Sequence, residues 1–173
     1  MMQGFSEEAR DLFVTGLRNA HAMENEALSI MEPQVGRIEH YPEVAERLRS
    51  HIEETRAQKT RLEGLLHDMN EDSSSMKDTV MSLGGSMAAM GHSLAGDEIV
   101  KNAMADFAFE HYEIAAYKSL IALARAGGLQ SAEQVLQQNL AEEQAMAEWL
   151  DRNIEPVTLR HASLREVGET AKR

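Results

Sequence analysis

The chain has 173 residues, of which 43% are hydrophobic and 27% charged. That length and composition suit one domain with a buried core and argue against general disorder. Its 17 basic residues against 29 acidic ones give a formal charge of −12, the wrong sign for phosphate binding, so neither nucleic acid nor an anionic membrane is expected as a partner.

The absence of cysteine removes disulfides, thiolate metal sites and cysteine nucleophiles together. No apolar run approaches ~20 residues, and Met1 to Ser6 lack the basic-then-apolar plan of a signal peptide. A cytoplasmic protein is expected. Three prolines, 5% aromatic residues and an abundance of Ala, Glu, Leu, Met and Gln form a helical alphabet. The fold class expected is all-α.

The first helix opens at Ser6, a good N-cap, with Glu7, Glu8 and Asp11 complementing the positive end of the dipole. Its inward stripe is Phe13, Leu17, Ala20, Glu24, Ala27, Met31, and Pro33 and Gly36 end it. The second helix opens near Tyr41 and Pro42, with the stripe Val44, Leu48, His51, Glu54/Thr55, Gln58, Leu62, Leu65, and stops in the polar stretch 70–75. From 76 to 96, four methionines (Met76, Met81, Met87, Met90) and four glycines suggest a short irregular helix or two crossing over the bundle, a packed connector or a soft hydrophobic plug.

The third helix follows Asp97 as N-cap, faces inward with Ala103, Phe107, Glu110, Glu113/Ile114, Tyr117, Ile121 and Ala124, and stops at Gly127 and Gly128. The fourth begins with a capping box, Ser131 to Gln134, carries Val135/Leu136, Leu140, Glu143, Ala147 and Leu150 inward, and is closed by Pro156. Residues 153–173 read as a short docking helix or a tail. Two short-loop hairpins, joined by a crossover over 71–96, give a core bundle over 6–152 with the connectivity of a ferritin-like four-helix bundle.

Glu24, Glu54, Glu110, Glu113 and Glu143 all fall on or beside apolar stripes near the middle of their helices. In an antiparallel bundle those positions share one level. Burying even one unpaired carboxylate costs several kcal/mol, and crowding like charges adds repulsion. A pair of metal ions is the expected neutralising agent, with His51 offering an imidazole one turn before Glu54. His111 lies between Glu110 and Glu113 but is rotated away from their face. Tyr117 and Gln58 are placed beside the cluster as supporting residues. A register error of one residue would exchange Glu53 for Glu54, or Glu142 for Glu143.

The strings His51-Ile-Glu-Glu-Thr55, Glu110-His-Tyr-Glu-Ile-Ala-Ala-Tyr117 and Leu140-Ala-Glu-Glu-Gln-Ala145 resemble the signatures of the YciF/YciE-type bacterial stress-protein family, a rubrerythrin-related branch of the ferritin-like superfamily. The likeness covers roughly residues 8–152. It implies a homodimeric ferritin-like bundle with a dinuclear metal site and no established reaction. Carried over, Glu24 matches the lone glutamate of the first helix, Glu110 and Glu113 the Glu-x-x-Glu of the third, and Glu54 and Glu143 the remaining carboxylates. The departure lies in the histidines. Where Glu-x-x-His would place them stand Ala57, three residues after Glu54, and Met146, three after Glu143. His51 is the candidate substitute.

Two functions compete. One is a di-iron or di-manganese protein, with iron favoured, that oxidises Fe(II) or removes peroxide using O₂ or peroxide as the small oxidant. The other is a non-enzymatic structural or scaffolding helical dimer with a vestigial or purely structural metal site.

Overall fold

The computed structural model describes residues 5–71 and 95–172. Four helices make up its regular structure: α1 (Glu7–Val35), α2 (Pro42–Asp68), α3 (Glu98–Ala126) and α4 (Gln130–Glu166). The expected crossover, with its methionines and plug-like reading, falls mostly outside the described residues.

Local signals explain most helix boundaries. Ser6 caps α1 by accepting a hydrogen bond from the Ala9 amide at 3.1 Å. Pro42 occupies the first turn of α2, where a missing N–H costs nothing. Beyond α3, Gly128 takes a positive φ of 69° that a residue with a Cβ would resist. The capping box expected at Ser131 does not form. α4 starts at Gln130, with Leu129 at the cap position and no side-chain cap bond, because the turn at Gly127–Gly128 already fixes the chain's entry. Asp97 holds the cap position of α3 but does not cap it; its carboxylate lies 2.9 Å from Lys101 Nζ instead.

Pro156 does not close α4, which runs ten residues further, to Glu166. A helical proline frees the carbonyl four residues back, here that of exposed Arg152, and water can satisfy it there. Buried Val157 and His161, with half-buried Leu164, continue the inward stripe and hold the extension down. The chain then reverses at Gly168, φ 75°. The Ala171 carbonyl accepts from Tyr41 Oη and from His161 Nδ1, each at 2.8 Å, and the Lys172 carbonyl accepts from the Ile99 amide at 2.9 Å. What sequence suggested as a tail is therefore a strap across one end of the bundle.

Neighbouring helices run antiparallel. Gln34 at the end of α1 bonds Asp106 near the start of α3, and Arg61 late in α2 pairs with Glu142 early in α4. Arg10 reaches Met69 at one end of the bundle while Arg37 reaches Glu98 at the other. α2 thus ends, and α3 begins, at opposite ends, the connectivity of a four-helix bundle with one long crossover. Gly16 lets α1 and α3 approach, since a Cβ there would stand 2.7 Å from Leu120 Cδ2.

Two apolar halves fill the interior. One gathers Phe13, Leu17, Leu62, Leu120 and Leu136; the other gathers Met31, Tyr41, Leu48, Met146 and Leu150. Between them in sequence position, on every helix, stands a buried polar residue: Glu24, His51, Glu110 with Glu113, and Glu143. The expected inward face of α3 needs correction. Ile99, Asn102 and Asp106 are buried ahead of Glu110, while Ala103, Phe107 and Ile114 are half-buried at its flanks. Apolar residues surround α3 on all sides, Met104 and Tyr112 outside included, so periodicity does not reveal which face is inward.

Candidate metal centre

His51, Glu110, Glu113 and Glu143 each offer a ligand atom to one group whose atoms lie within 4.8 Å of one another. α2, α3 and α4 supply them, and all four are buried. His51 Nε2 stands 3.2 Å from Glu110 Oε1 and 3.3 Å from Glu143 Oε2. Glu110 and Glu113 sit on one face of α3 because residues three apart on a helix are neighbours.

Glu24 is fully buried on α1 and feels the charges of Glu143, His51 and Glu110. It lies outside the four-residue group. Its Oε1 accepts from the Tyr117 hydroxyl, which in turn accepts from Asn139 Nδ2 at 3.0 Å. Asn139 Oδ1 accepts from Arg61 Nη1 at 2.5 Å, and Arg61 also forks onto Glu142 with two contacts of 2.8 Å. A chain of donors thus runs from a half-buried arginine to a buried carboxylate.

Glu54 takes a different place. It is about one-third exposed, and its Oε2 lies 2.8 Å from His51 Nδ1 and 3.2 Å from Arg47 Nη1. It faces the imidazole nitrogen that points away from the group, so it orients His51 rather than joining the cluster. Glu53 is exposed and pairs with Arg56. The register on α4 is settled by burial: Glu143 points in, while Glu142 is bound to Arg61. His111 is exposed, its Nδ1 donating to the Phe107 carbonyl at 2.9 Å. Gln58 is fully buried on the same face of α2 as His51 and Thr55.

The electrostatics show what such crowding does. Burial, followed by the charges of Glu143, Glu24 and Glu110, pushes the Glu113 carboxyl well above the usual range. Burial and Glu143 do the same to Glu24 against the Tyr117 hydrogen bond. Glu110 is pushed up to about 8, chiefly by burial and against its bond from His51. Burial would lower the His51 pKa, but Glu110, Glu143 and Glu54 outweigh it and hold the imidazolium well above the ordinary histidine value. Glu54 moves the other way: His51 and Arg47 overcome its burial and lower it.

Protons and one imidazolium leave this layer incompletely satisfied. Glu24 Oε2, Glu110 Oε2, Glu113 Oε1, Glu143 Oε1 and both amide atoms of Gln58 are buried with no hydrogen-bond partner, and Glu143 Oε2 meets His51 Nε2 at 3.3 Å. An orphaned buried polar group costs about 1–3 kcal/mol. A cation among these oxygens would satisfy several at once. Oxygen and imidazole donors without thiolate suit iron, manganese or magnesium. The residues therefore fit a bound metal ion.

A family model described as a domain of unknown function, DUF892, matches residues 8–163. Solved structures agree. A protein from Xanthomonas campestris pv. campestris is 33% identical, with a TM-score of 0.77 over 91% of this chain and 99% of that one. The Escherichia coli stress protein YciF is 21% identical, with a TM-score of 0.67 over 86% and 96% of the two chains. YcfI from Rhodopseudomonas palustris is 24% identical, with a TM-score of 0.64 over 87% and 94%. At those two identities the likeness shows the fold, and it agrees with the YciF-type strings at His51 and Glu110.

Proposed function

The chain belongs to the DUF892 family, and from that premise we propose that it is a stress-associated protein holding two divalent ions, iron foremost and manganese next. His51, Glu110, Glu113 and Glu143 are the ligands, with Glu24 as a fifth. The observation that carries the reading is the set of four partnerless buried carboxylate oxygens, on Glu24, Glu110, Glu113 and Glu143, around an imidazole shared by Glu110 and Glu143. Charge is compatible with a pair: four buried carboxylates balance two dications, whereas with one dication two of the carboxyls would keep the protons that burial favours.

The protein's own residues have separable roles. Glu54 accepts from Nδ1 of His51 and leaves Nε2 free to donate its lone pair. The Tyr117 hydroxyl fixes Glu24. The apolar halves above and below the layer exclude water. A bound iron or manganese pair supplies the redox chemistry for oxidising Fe(II) with O₂ or for removing peroxide. This reading takes the protein as a homodimer, as the family resemblance implies, and as cytoplasmic; no helix among the described residues is long and apolar enough to cross a membrane.

Metal analysis of protein purified without chelator, followed by Fe(II) addition under air, tests the reading. About two ions per chain with Fe(II) oxidation far above the buffer rate support it. Sub-stoichiometric metal, with helicity and melting unchanged by EDTA, overturns it. One observation favours the structural alternative: Met146, at the place of a Glu-x-x-His imidazole, is fully buried among apolar residues. Stoichiometric metal that raises the melting temperature without oxidising Fe(II) would select that alternative.

A further inference from the structure

The hydrogen-bonded line that ends on Glu24 takes one residue from each helix: Arg61 from α2, Asn139 from α4, Tyr117 from α3 and Glu24 from α1. Asn139, Tyr117 and Glu24 are fully buried, and Arg61 is half-buried at the outer end. That end is held fast. Glu142 takes both Nη atoms of Arg61 at 2.8 Å, and such a fork fixes the plane of a guanidinium.

The direction of the line follows from the arginine. A guanidinium only donates, so the Asn139 atom that meets Arg61 Nη1 at 2.5 Å is the amide oxygen. The amide nitrogen is left to donate to the Tyr117 oxygen at 3.0 Å. The phenol, having accepted that bond, has a single proton, and it goes to Glu24 Oε1. A flipped Asn139 amide would set N–H against N–H, so no member can reverse while Arg61 stays in place. Glu24 therefore meets a donor at Oε1 and keeps Oε2 buried and without a partner. It feels the charges of Glu143, His51 and Glu110, which ties that free oxygen to the layer.

We infer that Arg61 and Asn139 are positioning residues for the metal layer: by fixing the direction of the Tyr117 hydroxyl they hold Glu24 as a ligand that offers one oxygen, Oε2. The inference rests on the metal-binding reading above and gives a role to two residues outside the ligand set. It also accounts for a polar pair, Asn139 and Tyr117, that is buried beside the apolar half around Leu136. Outer partners of this kind set the aim and the basicity of a ligand without touching the ion.

The test uses the full chain, stripped with EDTA. Mn(II) affinity is measured by equilibrium dialysis and stability by the urea midpoint in EDTA. Asn139→Asp replaces the amide donor with a second acceptor of the same shape. Arg61 pairs with one of its oxygens, the other takes the Tyr117 proton, and Glu24 loses its donor. Mn(II) affinity should fall about 10–100-fold, the usual cost of losing an outer partner, although the added charge alone would attract cations. Arg61→Met frees the amide to turn and should lower the affinity in the same direction. Arg61→Lys keeps a donor-only cation and should recover most of it. Glu24→Gln separates positioning from packing. If Asn139 acts through Glu24, adding Asn139→Asp to Glu24→Gln lowers the affinity no further, the non-additivity of residues in one network. Parent-like affinity in Asn139→Asp overturns the assignment and leaves the metal centre standing, whatever the urea midpoint does. Should that variant fail to fold, parent-like affinity in Arg61→Met overturns it equally. Additive losses in the double variant also overturn it. If the parent binds no Mn(II), the metal-centre reading falls and this assignment falls with it.

Discussion

Glu54 Oε2 stands 2.8 Å from Nδ1 of His51, and this contact turns the other ring nitrogen toward Glu110 and Glu143. A glutamate read from sequence as a ligand thus lies against the histidine beside the cluster, where it can set the ring's orientation. Glu54→Ala should leave the fold intact, because the side chain is about one-third exposed. Metal affinity should fall about 10–100-fold, the usual cost of losing the partner that orients a ligating histidine. Competition with a chromophoric chelator measures it. An unchanged affinity would mean that His51 is held by packing alone.

Tyr117 tests the opposite side of the layer. Tyr117→Phe removes the donor to Glu24 and the acceptor for Asn139 Nδ2, and Glu24 Oε2 already lacks a partner. The chelated protein should lose about 1–3 kcal/mol, read as a lower urea midpoint in EDTA. A midpoint equal to the parent's would show that Glu24 and Asn139 find other partners.

Much of this was legible in the sequence. The stripe positions Glu24, Glu110, Glu113 and Glu143 are buried as read, because a mid-helix glutamate flanked at three- and four-residue spacing by apolar residues has nowhere else to point. His51 was legible for the same reason. Asn139, Asp106 and Gln34 were not singled out, since polar residues beside an apolar stripe look like solvated ones until their partners are known. Asp106 did carry a signal, its interval of four before Glu110, but apolar residues all round α3 hid which face it joined. Pro156 misled because its effect depends on whether the carbonyl it frees can reach water, a property of the fold and not of the residue.

Asp106 gives a pH signature. Its folded pKa of about 6 lies above the ordinary aspartate value of 3.8, so the folded state binds a proton that the unfolded state releases. Stability from this group is full below about pH 4 and is lost as pH rises through about 6, a change of about 3 kcal/mol. Asp106→Asn does not titrate. In EDTA, the stability of the variant relative to the parent should therefore rise by about that amount between pH 4 and pH 7. Urea unfolding at the two pH values measures it, and a constant difference would contradict the burial argument.

The strap offers a control remote from the metal. Tyr41 is fully buried, and its hydroxyl donates to the Ala171 carbonyl at 2.8 Å. Tyr41→Phe should cost about 1–2 kcal/mol, seen as a lower melting temperature, with metal stoichiometry unchanged. Loss of metal in this variant would tie the strap to the centre.

The central claim is that the buried carboxylate layer binds metal through Glu143 and its neighbours. Equilibrium dialysis of the EDTA-stripped chain against Mn(II), beside Glu143→Gln, tests it most directly. The account predicts saturable binding of about two ions per parent chain and a marked loss in the variant, since Glu143 Oε1 is buried without a partner and Oε2 faces the His51 imidazole. Absence of saturable binding, or equal binding by parent and variant, would contradict it.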